Sequence, residues 1–400
     1  MRIRDVVCHV LEAPLSRRFG WSLAETDRRT AMLVEIVAED GLVGWGESYG
    51  PARANATIVE HYYKPRLIGA DPLTTETIWQ DLYAALRDHG QKGLAIQALS
   101  GVDIALWDLK GRVLGQPVHR LMGGPIRERV GAYATGLYSR PEGDSAVYLA
   151  EEAAGYVDEG FSAVKLKVGY GVREDVRNAR AVREAIGPDV ALMMDANHAY
   201  DATAAIELGR RVAELEIGWF EEPVPPEDLR GYEEVRRGQP IPVAGGECEF
   251  TRFGFRELLS RRCVDIAQPD TCAAGGLSEC KKIADMANAF GIRYVPHVWG
   301  TGVALAASLQ LLAVLPHNPP CRFPTEPLLE FDRTEHAIRQ AVLSEPLEHE
   351  QGLVRVPTGP GLGDRDRPFN PGPLPSRLSR ERPGSVQDVR RTVNRGAREG

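Results

Sequence analysis

From residue 130 onward, short apolar runs and amphipathic stretches alternate in a nearly constant step, and this rhythm constrains the fold more than any other feature. The apolar runs occupy 130–135, 163–168, 191–195, 217–221, 242–247, 264–270, 293–297 and 328–331. Helical spacing fills the gaps, for example at 145–159, 174–186, 202–215, 276–290 and 303–315. Runs of this length, bounded by polar residues, read as strands buried on both faces. Eight strands separated by seven helices predict an α/β chain closed into a parallel barrel, a modified (β/α)7β TIM barrel. A doubly wound open sheet is the alternative. It would want a glycine-rich phosphate turn after its first strand, and Ala134-Thr135-Gly136 does not supply one.

The first 125 residues follow another pattern. Strands are predicted at 3–11, 30–38 and 43–47, the last two joined by a turn at Glu39-Asp40-Gly41, and helices at 55–67, 74–87 and 93–113. The last helix has apolar residues on several faces, which predicts burial all round. Gly115-Gln116-Pro117 and Gly123-Gly124-Pro125 then break the pattern. The expected division is an α+β capping domain over 1–125, the barrel over 126–340, a segment over 341–365 returning to the cap, and a tail over 366–400. A chain of 400 residues is long enough for all of it.

Charge narrows the partners. The formal net charge is −8, yet residues 373–400 hold seven arginines against three acids and no aromatic residue. That composition predicts a mostly disordered basic tail, and the remainder carries −12. Net acidity argues against a nucleic-acid partner. No run approaches the ~18–20 apolar residues that span a bilayer, so no membrane role is expected. The six cysteines form no CxxC pair, which suits a reduced, cytoplasmic protein.

The ends of the predicted strands carry the chemistry. The second ends in Lys165-Leu-Lys167, the third in Asp195-Ala-Asn197, the fourth in Glu221-Glu222-Pro and the fifth in Gly-Gly-Glu247. The sixth ends in Gln268-Pro-Asp270 and the seventh in Pro-His297. Successive steps of 23 to 28 residues each equal one strand plus one helix. Six strands therefore deliver a titratable residue to one rim, where barrel active sites lie. Taken singly, each is an ordinary solvated charge. Taken together, Asp195, Glu221 and Glu247 would repel unless a cation sits among them. With only oxygen donors, and no cysteine or histidine near, a hard ion such as Mg²⁺ fits best. Lys165 and Lys167 point the same way, two apart on a strand. Their proximity to each other and to the cation should depress their pKa values, which suits one of them to act as a base. His297 lies on the opposite arc, with Asp270 placed to orient it. Two bases flanking a cation suit removal of a proton α to a carboxylate.

These motifs resemble the enolase superfamily, in particular its mandelate racemase subgroup, over roughly residues 1–365. Muconate-lactonising relatives carry a lysine on the sixth strand, where this chain has Asp270. The resemblance implies Asp195, Glu221 and Glu247 as ligands of one Mg²⁺, Lys167 as the base on one face, and His297 with Asp270 as the acid/base on the other. It implies that Lys165 and Glu330 hold the substrate carboxylate. Glu326 is a nearby competitor for the last role. Asn197 and His198, just after the first ligand, are candidates for substrate contact. Trp21 and Tyr49 are candidates from the cap, as are Arg17 and Arg18. Glu222 reads as part of a structural ion pair. Residues 17–29 would form a lid loop that sets specificity.

Stretches such as "GWGESYGPARANA", "DANHAY", "VAGGE" and "VPHVWGTGV" are similar to the galactarolactone cycloisomerases. That resemblance implies an aldarate or aldarolactone substrate. A base takes the proton α to the free carboxylate, and the ring oxygen leaves from the β carbon as a carboxylate. Such a leaving group needs little acid help, so His297 is less essential there than in a racemase. A sugar-acid dehydratase and a racemase or epimerase are the competing activities. A non-catalytic sugar-acid-binding barrel should lack a ligand or a base, and none is missing. Subgroup relatives assemble as dimers or octamers, so a homo-oligomer is implied.

Overall fold

The computed structural model describes residues 1–140, 142–322 and 325–363, with the short strand Ser379–Arg380. The cap is an antiparallel sheet of β1 (Ile3–Trp21), β2 (Ala24–Ala38) and β3 (Val43–Ser48), backed by helices of which Leu94–Leu114 is the longest. That helix is buried on several sides, as its apolar spacing predicts, and ends at Gly115 with φ of 63°. Its close approach to β3 needs glycine. A Cβ on Gly46 would lie 2.0 Å from the carbonyl oxygen of Gly101 and 2.6 Å from the amide nitrogen of Ala105.

Residues 17–29 do not form the expected loop. They complete one long hairpin: β1 pairs with β2 from Ile3 opposite Ala38 to Trp21 opposite Ala24, with irregularities between Ile3 and Asp5 and between Pro14 and Phe19. Long-range bonds hold this charged arm in strand form. The Ser16 amide donates to Glu335 at 2.8 Å, and Arg29 donates to Asp332 at 2.9 Å while its guanidinium lies over Trp299. Ser379–Arg380 pairs with the outer edge of β1 at Leu11 and Glu12. The rest of the predicted tail lies outside the described residues.

The barrel strands are β4 (Arg129–Thr135), β5 (Ala163–Lys167), β6 (Ala191–Asp195), β7 (Ile217–Glu221), β8 (Val243–Gly245), β9 (Ile266–Ala267), β10 (Arg293–Tyr294) and β11 (Leu328–Asp332). They are parallel, in order from β4 to β10, and β11 closes on β4 from the other side. Among the described residues, seven helices of ten or more residues intervene. The architecture is a modified (β/α)7β TIM barrel with an α+β cap. Among the described residues, no ladder joins β10 to β11.

Strand alternation sorts the barrel interior. At its lower levels Tyr133, Ala163, Met193, Trp219 and Ile266 form a buried cluster. Two residues further along the same strands, the inward positions are Lys165, Asp195 and Glu221. The short strands β12 (His349–Glu350) and β13 (Leu353–Arg355) follow, and β13 pairs antiparallel with β4. The chain then reaches the cap: the Val118 amide donates to Gly361, and the Leu362 amide to Asp108. Cap and barrel also meet at Glu47, which accepts from the Thr301 and Ala304 amides and the Thr301 hydroxyl. Asp103 accepts from Ser278 in the same way.

Candidate active site

The ladders bring the predicted acids into register. Lys167 pairs with Asp195, and Asp195 with Glu221, across β5, β6 and β7. One carboxylate oxygen from each of Asp195, Glu221 and Glu247 lies within 4.8 Å of the other two. Asp195 and Glu221 are buried and Glu247 is half-buried. The backbone bends sharply just past two of these ligands. Asn197, His198 and Glu222 have φ of 44°, 68° and 42°, in the sparsely populated left-handed region.

Lys167 Nζ donates to Asp195 Oδ2 and, at 3.0 Å, to Asn197 Oδ1. It lies 5.2 Å from the centre of the Tyr138 ring. Lys165 is fully buried beneath it, 2.6 Å from Glu221, 2.8 Å from Glu330 and 3.6 Å from Asp195. The predicted depression of the lysines supposes a bound cation; in the protein alone both are shifted the other way. Burial works against the charged amines, but Asp195 beside Lys167 and Glu221 beside Lys165 outweigh it and raise both. A cation on the carboxylates would take up the charge responsible. The other side of the balance shows in the acids. Burial opposes ionisation of Asp195, yet Lys167 and Lys165 hold it well below the usual carboxylate range. Burial, joined by the neighbouring Asp195, Glu330 and Glu247, outweighs Lys165 and pushes Glu221 up to about 7.

Across the cavity His297 Nδ1 is 2.6 Å from Asp270 Oδ2, and its Nε2 is 3.6 Å from Glu247. Burial would lower its pKa, but Glu247, the bond to Asp270 and Glu330 raise it to about 10. Tyr49 packs edge-on against the imidazole with ring centres 5.3 Å apart. Asp270 also accepts from the Cys272 amide at 2.6 Å. Lys167, Glu247 and His297 line one cavity of about 460 Å³, counting space open to solvent.

Of the substrate-contact candidates, Trp21, Tyr49, Asn197, His198 and Glu330 line this cavity. Lys165 lies below the lining. Arg17 and Arg18 face outward, beside Glu142 and Asp27. Glu326 pairs with Arg127 and His317, away from the cavity. Glu330 accepts from Thr135 at 2.7 Å and from the Val298 amide at 2.9 Å. Despite burial, Lys165 and His297 keep its pKa below the usual value. Donating to a substrate carboxylate would require it to take up a proton. Glu222 is buried, with Oε2 3.1 Å from His198 Nε2.

Sequence reading missed three contributors. Tyr138 and Trp299 line the cavity, and Gln268 donates to Glu221 at 2.7 Å. Trp299 stands two residues past His297 and Gln268 two before Asp270, so proximity to the motifs was the available signal. One expectation is corrected. The acids are not free of histidine and cysteine, because His198 and Cys248 lie against Glu247.

Residues 148–365 match the family described as "Enolase C-terminal domain-like". Residues 6–123 match "Mandelate racemase / muconate lactonizing enzyme, N-terminal domain". The chain belongs to the enolase superfamily. It is an enzyme of that superfamily, with a cluster of acids able to hold a metal. It is 54% identical to D-galactarolactone cycloisomerase of Agrobacterium fabrum, over 91% of this chain and 96% of that protein. It is 37% identical to arabinonate dehydratase of Saccharolobus solfataricus, over 82% and 86%. The crystal structure of the 3,6-anhydro-D-galactonate cycloisomerase from Zobellia galactanivorans superposes with a TM-score of 0.82 at 42% identity, covering 91% and 96%. Among the described residues no helix is long and apolar enough to cross a membrane.

Proposed function

We propose that this enzyme is a Mg²⁺-dependent cycloisomerase that opens the lactone of an acid sugar by proton abstraction and β-elimination. The observation that carries the reading is the placement of Lys167 and His297 on opposite sides of one cavity, with the three acids between them. The 54% identity to a cycloisomerase supports the substrate class.

Asp195, Glu221 and Glu247 fit a hard divalent cation: all three donors are carboxylates and they converge within 4.8 Å. Bound there, Mg²⁺ supplies positive charge where negative charge develops on the substrate carboxylate. Lys167 takes the α proton, once the acids' hold on its own proton is loosened. Asn197 fixes the direction of Nζ through its 3.0 Å contact. Lys165 holds Glu221 and Glu330 from below and adds positive charge beneath the substrate carboxylate. Glu330 anchors Thr135 and Val298 and supports the imidazolium. The ring oxygen departs from the β carbon as a carboxylate, taking the electron pair of its bond. The elimination leaves an enol; His297, held as imidazolium by Asp270, supplies a proton to its β carbon from the opposite face while the enol hydroxyl gives one up to solvent, and a keto acid results. Trp21 and Tyr49 close the cavity from the cap and exclude water.

A sugar-acid dehydratase is the second reading, favoured by the imidazolium of His297, which suits protonation of a departing hydroxide. Incubation with Mg²⁺ and a panel of aldarates and aldarolactones tests both. Conversion of a lactone to a keto acid of the same mass supports the first. Loss of water from a linear aldarate supports the second. An epimer with no new carbonyl refutes both.

A further inference from the structure

Overlapping the three acids lies a second group of donors, of which the proposed reaction uses only Glu247 as a metal ligand. One donor atom each from His198, Glu222, Glu247 and Cys248 falls within 4.8 Å of the other three. His198 Nε2 is 3.1 Å from Glu222 and 3.6 Å from the Cys248 sulfur. Tetrahedral zinc with nitrogen, oxygen and sulfur ligands at its usual bond lengths separates its donors by about 3.3–3.8 Å, so small shifts would close the set.

A second observation points to a ligand here. Glu222 is 1% exposed, and its Oε2 has no hydrogen-bond partner. Its 3.1 Å contact with His198 Nε2 is an ion pair only while the imidazole is protonated, and a buried carboxylate oxygen without a well-aligned donor is costly. Cys248 is exposed, which leaves the group open to solvent from that side.

We propose that His198, Glu222, Cys248 and the shared Glu247 form a binding site for a thiophilic divalent cation of the zinc or cadmium type. Thiolate and imidazole donors select such ions over Mg²⁺, which prefers oxygen alone. Glu247 belongs to both groups of ligands. Filling the second site therefore withdraws the third carboxylate from the first, and zinc inhibits turnover. This last consequence rests on the Mg²⁺ reading above; occupancy of the site does not.

The test titrates the Mg²⁺-loaded protein with Cd²⁺ and follows the ultraviolet thiolate-to-cadmium charge-transfer band, with bound metal counted after dialysis. The expected result is one Cd²⁺ per chain with a thiolate band. Cys248→Ser should abolish the band and weaken Cd²⁺ binding by about tenfold or more, and Cys321→Ser should change neither. Absence of the band, or its survival in Cys248→Ser, overturns the site. Turnover is the second readout. Zn²⁺ should inhibit the parent, and Cys248→Ser should need about tenfold more for the same loss while keeping its Mg²⁺-dependent rate. Equal zinc sensitivity overturns the coupling through Glu247. The cadmium readout needs no turnover, so failure of the proposed activity is seen separately.

Discussion

Replacing Lys167 by alanine tests the assignment of the base. A positioned general base contributes roughly 10²–10⁴ in rate. The upper end applies here because no other group can substitute. Lys165 is fully buried and held by Glu221 and Glu330, and His297 stands on the opposite side beside Asp270. A loss of about 10⁴ corresponds to about 5.5 kcal/mol of transition-state stabilisation. Metal binding should survive, because all three acids remain. Asp195 loses its nearest cation but keeps Lys165 at 3.6 Å. Breaking half of a buried charge network of this kind costs a few kcal/mol, and a bound divalent ion offsets it. The variant should therefore gain more thermal stability from Mg²⁺ than the parent does. The decisive assay is exchange of the α proton in heavy water, followed by nuclear magnetic resonance with a substrate that turns over. Exchange at a rate within about tenfold of the parent, a change worth only ~1.4 kcal/mol, would refute Lys167 as the base.

Three further outcomes follow from particular contacts. Glu247→Gln should abolish metal-dependent turnover and weaken Mg²⁺ binding in calorimetric titration; unchanged affinity would remove Glu247 from the ligand set. Asp103 is pushed up to about 7 by burial, against its hydrogen bonds from Ser278 and an unfolded value of 3.8. Its folded pKa is the higher one, so its contribution to stability is full below the unfolded value. That contribution falls as pH rises through about 7. Each unit is worth about 1.4 kcal/mol, and Asp103→Asn should flatten that part of the stability–pH curve in denaturant titrations; an unaltered slope counts against it. Gly46→Ala forces a methyl group into the backbone of the helix Leu94–Leu114 and should cost about 1–3 kcal/mol or more by thermal unfolding; a neutral effect would mean that β3 and the helix separate easily.

Much of the barrel was legible because each acid follows directly on an apolar run. Asp195 after "ALMM" and Glu221 after "IGWF" leave little choice of strand end, and one strand–helix unit per step fixes the common rim. The hairpin arm was not legible. Residues 17–29 carry mixed charge and no clean alternation. What extends β1 and β2 through them is contact with residues some 300 positions away, at Asp332 and Glu335. The grouping of His198, Glu222 and Cys248 was hidden for a related reason. Each follows a different strand, and only the left-handed bends after β6 and β7 turn them toward one another. The state of the lysines without a cation was not legible, because a sequence shows which charges are near one another but not which is nearest. Lys167 bonds Asp195 before it feels Lys165.

The tip of the hairpin has a bearing on how such an enzyme diverges. Trp21 reaches the cavity from the cap, yet the adjoining Ser22 hydroxyl is bonded at 2.7 Å to the carbonyl of Ala196, next to Asp195. Gly20 and Ser139 exchange backbone bonds across the same junction. Under the proposed function, the residues that close the cavity from the cap and those that carry the chemistry lie in separate stretches of the sequence, joined by a few bonds. A lineage could replace the aromatic face of the arm, and so its choice of sugar, while inheriting the rim unchanged. On that reading, such an arm would keep the Ser22 hydroxyl and the small Gly20 at the seam, because these make the bonds that seat it on the rim.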